Sequence, residues 1–319
     1  MTDDSEEEQS DNYLSKSRLK TWVSCPRKYY YKYVEEKQVE ETESMVKGTK
    51  IHELIEAFYE NAMEHAEDND EPPTTMFSLI DDTVHEDWRD YLDPYLAHFL
   101  GFERRRWQNV DDIDQWIPVA VEEGMWSQVL EDTPPFTGYA DVMLPASSFD
   151  QDDVEDNDGC VLVDFKTGEP KSEKYRGHEN GGVFLDLAYY KILFESDFDI
   201  RAVGGYYPKT DTLVVSNVDE ERRRFVEKVS RKISEADPEQ IENYPLKMGP
   251  LCAWGEDEGE RCAFYDDCPS TWAVPVDNKD KTVELIQEGL DNEEIAEELG
   301  TTEDAVGYWI HNKRWHRYR

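Results

Sequence analysis

Two aspartates and a lysine stand close together in Gly138-Tyr-Ala-Asp141 and Val161-Leu-Val-Asp164-Phe-Lys166-Thr-Gly168. In an extended chain residues two apart share a face, so Asp164 and Lys166 project together from an apolar run. An ion pair buried there gains little stability by itself. Metal-assisted phosphodiester hydrolysis gives the pattern a better reason. Carboxylates are hard oxygen donors for Mg²⁺ or Mn²⁺. A cation held by them activates water and offsets phosphate charge, and a neighbouring lysine orients the water or stabilises developing charge. Asp-x-Lys alone is weak, since most occurrences are plain surface pairs. Taken singly, His52 reads as an ordinary helix residue, Tyr190 as core packing and Asp141 as a turn residue. Their joint order along one chain is what points to a site.

The five cysteines form a second constellation: Cys25, Cys160, Cys252, Cys262 and Cys268. Cys160 opens the apolar Asp164 run and reads as packing. The other four lie in distant segments, one in Ser24-Cys25-Pro26-Arg27-Lys28 and three between 252 and 268. Four converging thiolates suit either tetrahedral zinc or a [4Fe–4S] cluster.

The elements that must position these residues alternate. Residues 1–12 read as an acidic tail. Helical patterns follow over Tyr13 to Val34 and Val46 to Met63, a loop over 64–75, then aromatic-rich helical chain to about Val110. The period then shifts to strands at Trp116 to Glu122, Phe136 to Leu144 and Cys160 to Lys166, the last two joined by an acidic hairpin loop over Ser147 to Asp158. A helix over Val183 to Glu195, a strand over Arg201 to Tyr207, a hairpin strand over Thr212 to Ser216 and a charged helix over Asp219 to Ala236 complete an α/β order. A cysteine-rich loop occupies 245–270, a linker 271–280, and a compact helical segment 281–319. There, Asp291 and Thr302 are credible N-caps and Gly300 a turn.

Composition bounds the reading. Hydrophobic residues make up 38%, with 9 Trp, 18 Tyr and 12 Phe, which is enough for a core. Against 74 acidic residues there are 34 basic ones, a net charge of −40. That disfavours phosphate contacts. Acid spread through every segment also fits a halophilic cytoplasm, where molar salt screens repulsion beyond about 3 Å. No apolar run reaches membrane-spanning length, and the acidic start is unlike a secretory signal, so the expected location is cytoplasmic.

Over residues 13–270 the sequence resembles the RecB-type branch of the PD-(D/E)xK nucleases. Gly48-Thr-Lys-Ile-His52 fits its Gly-x-x-x-His, Gly138 to Asp141 its Gly-x-x-Asp, and Asp164 to Gly168 its Asp-x-Lys-Thr-Gly. The resemblance implies a restriction-endonuclease-like core, a mixed sheet flanked by helices. It implies that His52, Asp141, Asp164 and the Phe165 carbonyl hold Mg²⁺ or Mn²⁺, that Lys166 is catalytic alongside Asp141 and Asp164, and that Tyr190 belongs to the site. Glu122 stands where relatives place a supporting acid. One departure is Asp186-Leu-Ala-Tyr-Tyr190, which has Asp where the family carries Gln. Cys25, Cys252, Cys262 and Cys268 resemble the iron–sulfur staple of AddB-type and CRISPR-associated relatives, although Cys252 and Cys262 enclose an acidic Gly255 to Glu260 insertion; zinc is the alternative. Residues 281–319 resemble a sigma-factor or resolvase helix-turn-helix, with a third helix from about Thr302 and basic residues at its far end. The implied function is a DNA exonuclease in repair or recombination, acting on single strands or duplex ends, with a helicase as an expected partner. The rival is a catalytically weak or inactive DNA-binding regulator that uses the helix-turn-helix on the same scaffold.

Overall fold

The computed structural model describes residues 13–80, 82–150, 154, 158–256 and 260–318. The acidic tail expected over 1–12 lies outside these residues, as do parts of the acidic loops expected over 147–158 and 255–260. The chain divides into two compact units, Met1–Lys20 with Glu40–Glu235, and Thr21–Val39 with Ala236–Arg319.

In the first unit six strands make one mixed sheet among the described residues: β1 (Leu14–Ser15), β2 (Ala120–Ser127), β3 (Phe136–Pro145), β4 (Cys160–Phe165), β5 (Ile200–Tyr207) and β6 (Thr212–Ser216). Strand β3 is the hub. It pairs antiparallel with β2 along one edge, and with β1 (parallel) and β4 (antiparallel) at opposite ends of the other. The β4–β5 pair is parallel and β5–β6 antiparallel. All six residues of β4 are buried, as an apolar strand covered on both faces must be.

The helices, in chain order, are α1 (Lys16–Ser24), α2 (Pro26–Tyr29), α3 (Glu43–Asp68), α4 (Asp82–Gln108), α5 (Val183–Phe194) and α6 (Glu220–Glu235). The helix expected over Tyr13 to Val34 breaks at Cys25, which is extended (φ −164°, ψ 113°), because proline at 26 disfavours helical geometry in the residue before it. A single π-helical turn, Tyr30–Val34, follows α2. Helix α3 is longer than the apolar spacing predicts, since the Thr42 side chain caps it by accepting from the Met45 N–H. The strand expected from Trp116 begins instead at Ala120. Trp116 closes a 3₁₀ turn, and Pro118 between them has no N–H for a ladder.

One face of the sheet packs Val142, Leu144, Val161, Val163 and Phe165 against Phe58 and Tyr59 of α3, Phe99 of α4 and Trp116 of the following turn. Each fully buried side chain of this size contributes about 1.5–3 kcal/mol. Helix α5 is apolar almost all round and buried accordingly. Its Tyr189 ring stacks on Phe136 (5.2 Å between centroids), and its hydroxyl accepts from the Thr137 N–H at 3.1 Å and donates to the Leu14 carbonyl at 2.6 Å, tying β1 to β3.

The second unit, to which α2 and the π-helical turn belong, also carries α7 (Val274–Asp277), α8 (Lys279–Gln287), α9 (Asn292–Leu299) and α10 (Glu303–Asn312). Asp291 makes a full capping box with Glu294, Gly300 takes the left-handed conformation (φ 68°), and Thr302 caps α10. In place of the linker expected over 271–280, Trp272, Ala273 and Val276 are buried in one core with Ile286, Ile295, Val306 and Trp309. Three apolar side chains in that short span give it a packed rather than a tethering role.

Candidate active site

Ladder pairing between β3 and β4 runs from Pro145↔Cys160 to Val142↔Val163 and stops there, so the strands fork where Asp141 faces Asp164. Asp141 is held in the fork by its Oδ2, which accepts from the Phe165 N–H at 2.6 Å. The β4 side is fixed by the parallel ladder to β5, ending with the Lys166 N–H on the Tyr206 carbonyl at 2.8 Å.

Two further donors converge on Asp141. His52, from α3, brings Nδ1 to 3.6 Å from Asp141 Oδ2. Glu122 lies directly across the β2–β3 ladder, between the pairs Val121↔Val142 and Glu123↔Ala140. Its backbone is left-handed (φ 44°) without being glycine, a conformation that costs about 1–3 kcal/mol and persists only when the surroundings impose it. The ligand atoms of His52, Glu122 and Asp141 all lie within 4.8 Å of one another. An imidazole and two carboxylates at that spacing fit a divalent cation.

Asp164, 1% exposed, is engaged differently. Its Oδ1 receives Lys16 Nζ at 3.0 Å, and its Oδ2 is in close contact with Lys166 Nζ. Lys166 Nζ also reaches Asp186 Oδ2 at 3.0 Å, and Lys20 Nζ meets the same oxygen at 2.8 Å. The result is an alternating chain, Lys16–Asp164–Lys166–Asp186–Lys20. Lys16 and Lys20 stand one turn apart on α1, and Lys16 Nζ lies 4.5 Å from the Tyr190 ring centre. Asp186 is fully buried and its other oxygen, Oδ1, has no hydrogen-bond partner among the described residues.

The electrostatics follow from this layout. Burial, then the charges of Asp141 and Glu56, push the Glu122 carboxyl up to about 7. Burial and the neighbouring Asp164 charge also raise Asp141. Burial opposes ionisation of Asp164, yet Lys16 and Lys166 outweigh it and hold the group well below the usual carboxylate range. Lys166 is likewise kept charged by Asp164 and Asp186 against the cost of its burial. Burial pushes the Tyr190 phenol up to about 12. A cavity of about 660 Å³ opens onto His52, Glu122, Asp141, Phe165 and Lys166.

The residues singled out in the sequence thus meet at the fork: His52, Asp141, Asp164, Phe165, Lys166 and Tyr190. The three-donor group contains Glu122 rather than Asp164, whose oxygens lie with the lysines. Lys16 and Lys20 were not foreseen; their signal was two lysines at helical i, i+4 spacing in an acidic chain. In the second unit Cys25, Cys252, Cys262 and Cys268 line one cavity of about 300 Å³. No three of the four thiols fall within 4.8 Å of one another among the described residues. Burial raises both the Cys252 and the Cys268 thiol. Cys160 is buried at the start of β4, as its packing role requires.

A sequence profile of the PD-(D/E)XK nuclease superfamily matches residues 13–269. Among solved structures, a candidate exonuclease from Eubacterium rectale is similar at 12% identity and a TM-score of 0.44, covering 79% of this chain and 91% of that one. A search of curated proteins returned no match.

Proposed function

The chain belongs to the PD-(D/E)XK nuclease superfamily, and from that premise we propose that it is a divalent-metal-dependent deoxyribonuclease of RecB-like type that trims DNA ends in repair or recombination. The observation that carries the reading is the convergence of His52, Glu122, Asp141, Asp164 and Lys166 on one open fork. His52, Glu122 and Asp141 would hold Mg²⁺ or Mn²⁺, with Asp164 and the Phe165 carbonyl as the further donors. When bound, the cation supplies charge neutralisation at the phosphate and a more acidic water. Lys166 stays charged and is held by Asp164 and Asp186, which suits its Nζ to stabilise negative charge developing on the phosphate. Lys16 adds a second positive charge beside Asp164.

An inactive DNA-binding regulator fits less well. Asp186, the departure that would repel phosphate, is neutralised by Lys166 and Lys20. For the cysteines we favour an iron–sulfur cluster. The four thiols line one cavity, and no three of their sulfurs lie within 4.8 Å of one another among the described residues, whereas tetrahedral zinc with Zn–S bonds near 2.3 Å would draw all four to about 3.8 Å apart. The helices of residues 281–319 would recruit DNA as a helix-turn-helix, through Lys313, Arg314 and Arg317 beyond α10. The charge of −40 supports work in a salt-rich cytoplasm.

The test is cleavage of end-labelled single- and double-stranded DNA at high KCl with Mn²⁺, Mg²⁺ or EDTA, using anaerobically prepared wild type and Lys166→Ala. Metal-dependent cutting, lowered at least about 100-fold in the variant, is expected. A folded, metal-loaded wild type that leaves DNA intact would sink the proposal.

A further inference from the structure

Beside the fork, the β2–β3 ribbon presents an aromatic surface that the reaction at Asp141 does not use. Tyr139 stands two residues before Asp141, about 7 Å along the strand. It is 64% exposed. Opposite it in the ladder is Gly124. A Cβ at Gly124 would fall 2.8 Å from Tyr139 Cε1, 3.2 Å from Cδ1 and 3.4 Å from Cζ. The ring therefore lies flat across the glycine, with one face on backbone and the other turned outward. Trp126, two residues beyond Gly124 on the same side of β2, is 54% exposed. The Tyr13 ring lies 6.0 Å from Trp126, and the Arg18 guanidinium sits 4.4 Å over Tyr13.

Covering a strand glycine explains why Tyr139 lies flat. It does not explain an outward, solvent-facing ring followed by an exposed indole and a cation-capped phenol. Flat aromatic faces beside a cation are what unpaired bases stack on. The composition of the chain supports the same occupant. With 34 basic residues against 74 acidic ones, affinity gained through phosphate contacts is small and falls further with salt. Stacking on π-faces does not depend on counterion release.

We propose that Tyr139, Trp126 and Tyr13, with Arg18, form a stacking track for single-stranded DNA that leads an unpaired end to the Asp141–Asp164 fork. This rests on the nuclease reading and adds its substrate class: a strand with bases free to stack. Duplex DNA, whose bases are already stacked, gains nothing from the track.

The test uses the full chain in EDTA, which prevents cutting, and fluorescence anisotropy of labelled oligo-dT and of a blunt duplex of equal length. Trp126→Leu and Tyr139→Leu keep apolar bulk while removing the π-face; circular dichroism and thermal melts confirm that they fold. Each variant is expected to weaken oligo-dT binding about tenfold while duplex binding stays within about twofold. Wild-type affinity for oligo-dT should fall only shallowly with KCl. Unchanged oligo-dT affinity in both variants, or an equal loss on duplex, overturns the track. So does sedimentation showing that the leucine variants abolish a dimer, which would make the surface a protein interface. Wild-type cleavage with Mg²⁺, run alongside, separates the two claims. Cutting with unchanged binding in the variants removes the track alone. No cutting by metal-loaded wild type removes the nuclease reading, and selective loss of oligo-dT binding would still uphold the track.

Discussion

Replacing Glu122 by Gln or by Gly separates its charge from its backbone. The carboxyl is pushed up to about 7 by burial and then by Asp141 and Glu56, so below neutrality it carries a proton in the metal-free protein. A cation that takes this carboxylate must displace that proton. With a pKa near 7 the ionised fraction is about 0.9 at pH 8 and about 0.1 at pH 6, so Mn²⁺ affinity should fall about tenfold between them. Calorimetric titration of Mn²⁺ across that range, in buffers of different ionisation enthalpy, gives both affinity and protons released. Glu122→Gln should bind more weakly and lose about tenfold of the wild-type pH dependence. The sign for folding is the reverse. A raised acid binds more protons folded than unfolded, so its contribution to the stability of metal-free protein falls as pH rises from about 4.5 to about 7. Glu122→Gly removes the side chain and also relieves the left-handed backbone at φ 44°. It should gain about 1 kcal/mol in denaturant melts while losing metal affinity. A pH dependence in Glu122→Gln equal to that of wild type, or a destabilised glycine variant, would refute this reasoning.

The buried cluster behind the sheet gives a prediction on stability. Arg106 meets Glu103 at 2.7 Å, the Trp116 carbonyl at 2.7 Å and Ser148 Oγ at 3.0 Å, while the Tyr59 hydroxyl donates to Glu103 at 2.7 Å. Glu103→Ala strands a buried guanidinium and should cost about 3–5 kcal/mol in urea melts, whereas replacing both Glu103 and Arg106 by apolar residues of similar volume should cost far less. In the second unit, Cys262→Ser should lose bound iron and sulfide by chemical analysis and become protease-sensitive over 236–318, while Mn²⁺ binding at His52 and Asp141 persists; stoichiometric zinc in the wild type would refute the iron–sulfur assignment.

What could be read from the sequence was what is local. Asp164 and Lys166 share a face because a strand has a period of two. Asp291, Gly300 and Thr302 end and start helices because a cap is decided by its own side chain and its nearest N–H groups. The β3, β4 and α5 spans emerged with ends close to those expected, since apolar runs bounded by turn residues have few alternatives. The resemblance grouped Cys25 with three cysteines over 200 residues away, which spacing could not, and the structure has all four lining one cavity. Only the tertiary structure decided the partners of the buried charges. Asp186 looked like an acid that would repel phosphate, until Lys20 and Lys166 were found on its carboxylate. Lys16 reaches Asp164 across 148 residues of chain, a pairing that no periodicity encodes. Glu122 lies in an ordinary strand pattern, and nothing in its neighbours predicts a left-handed backbone. The physical reason is the same in each case. Periodicity says which face a residue takes, but which charge it meets there depends on which distant segments are brought together, and burial then leaves an acid little choice but to pair.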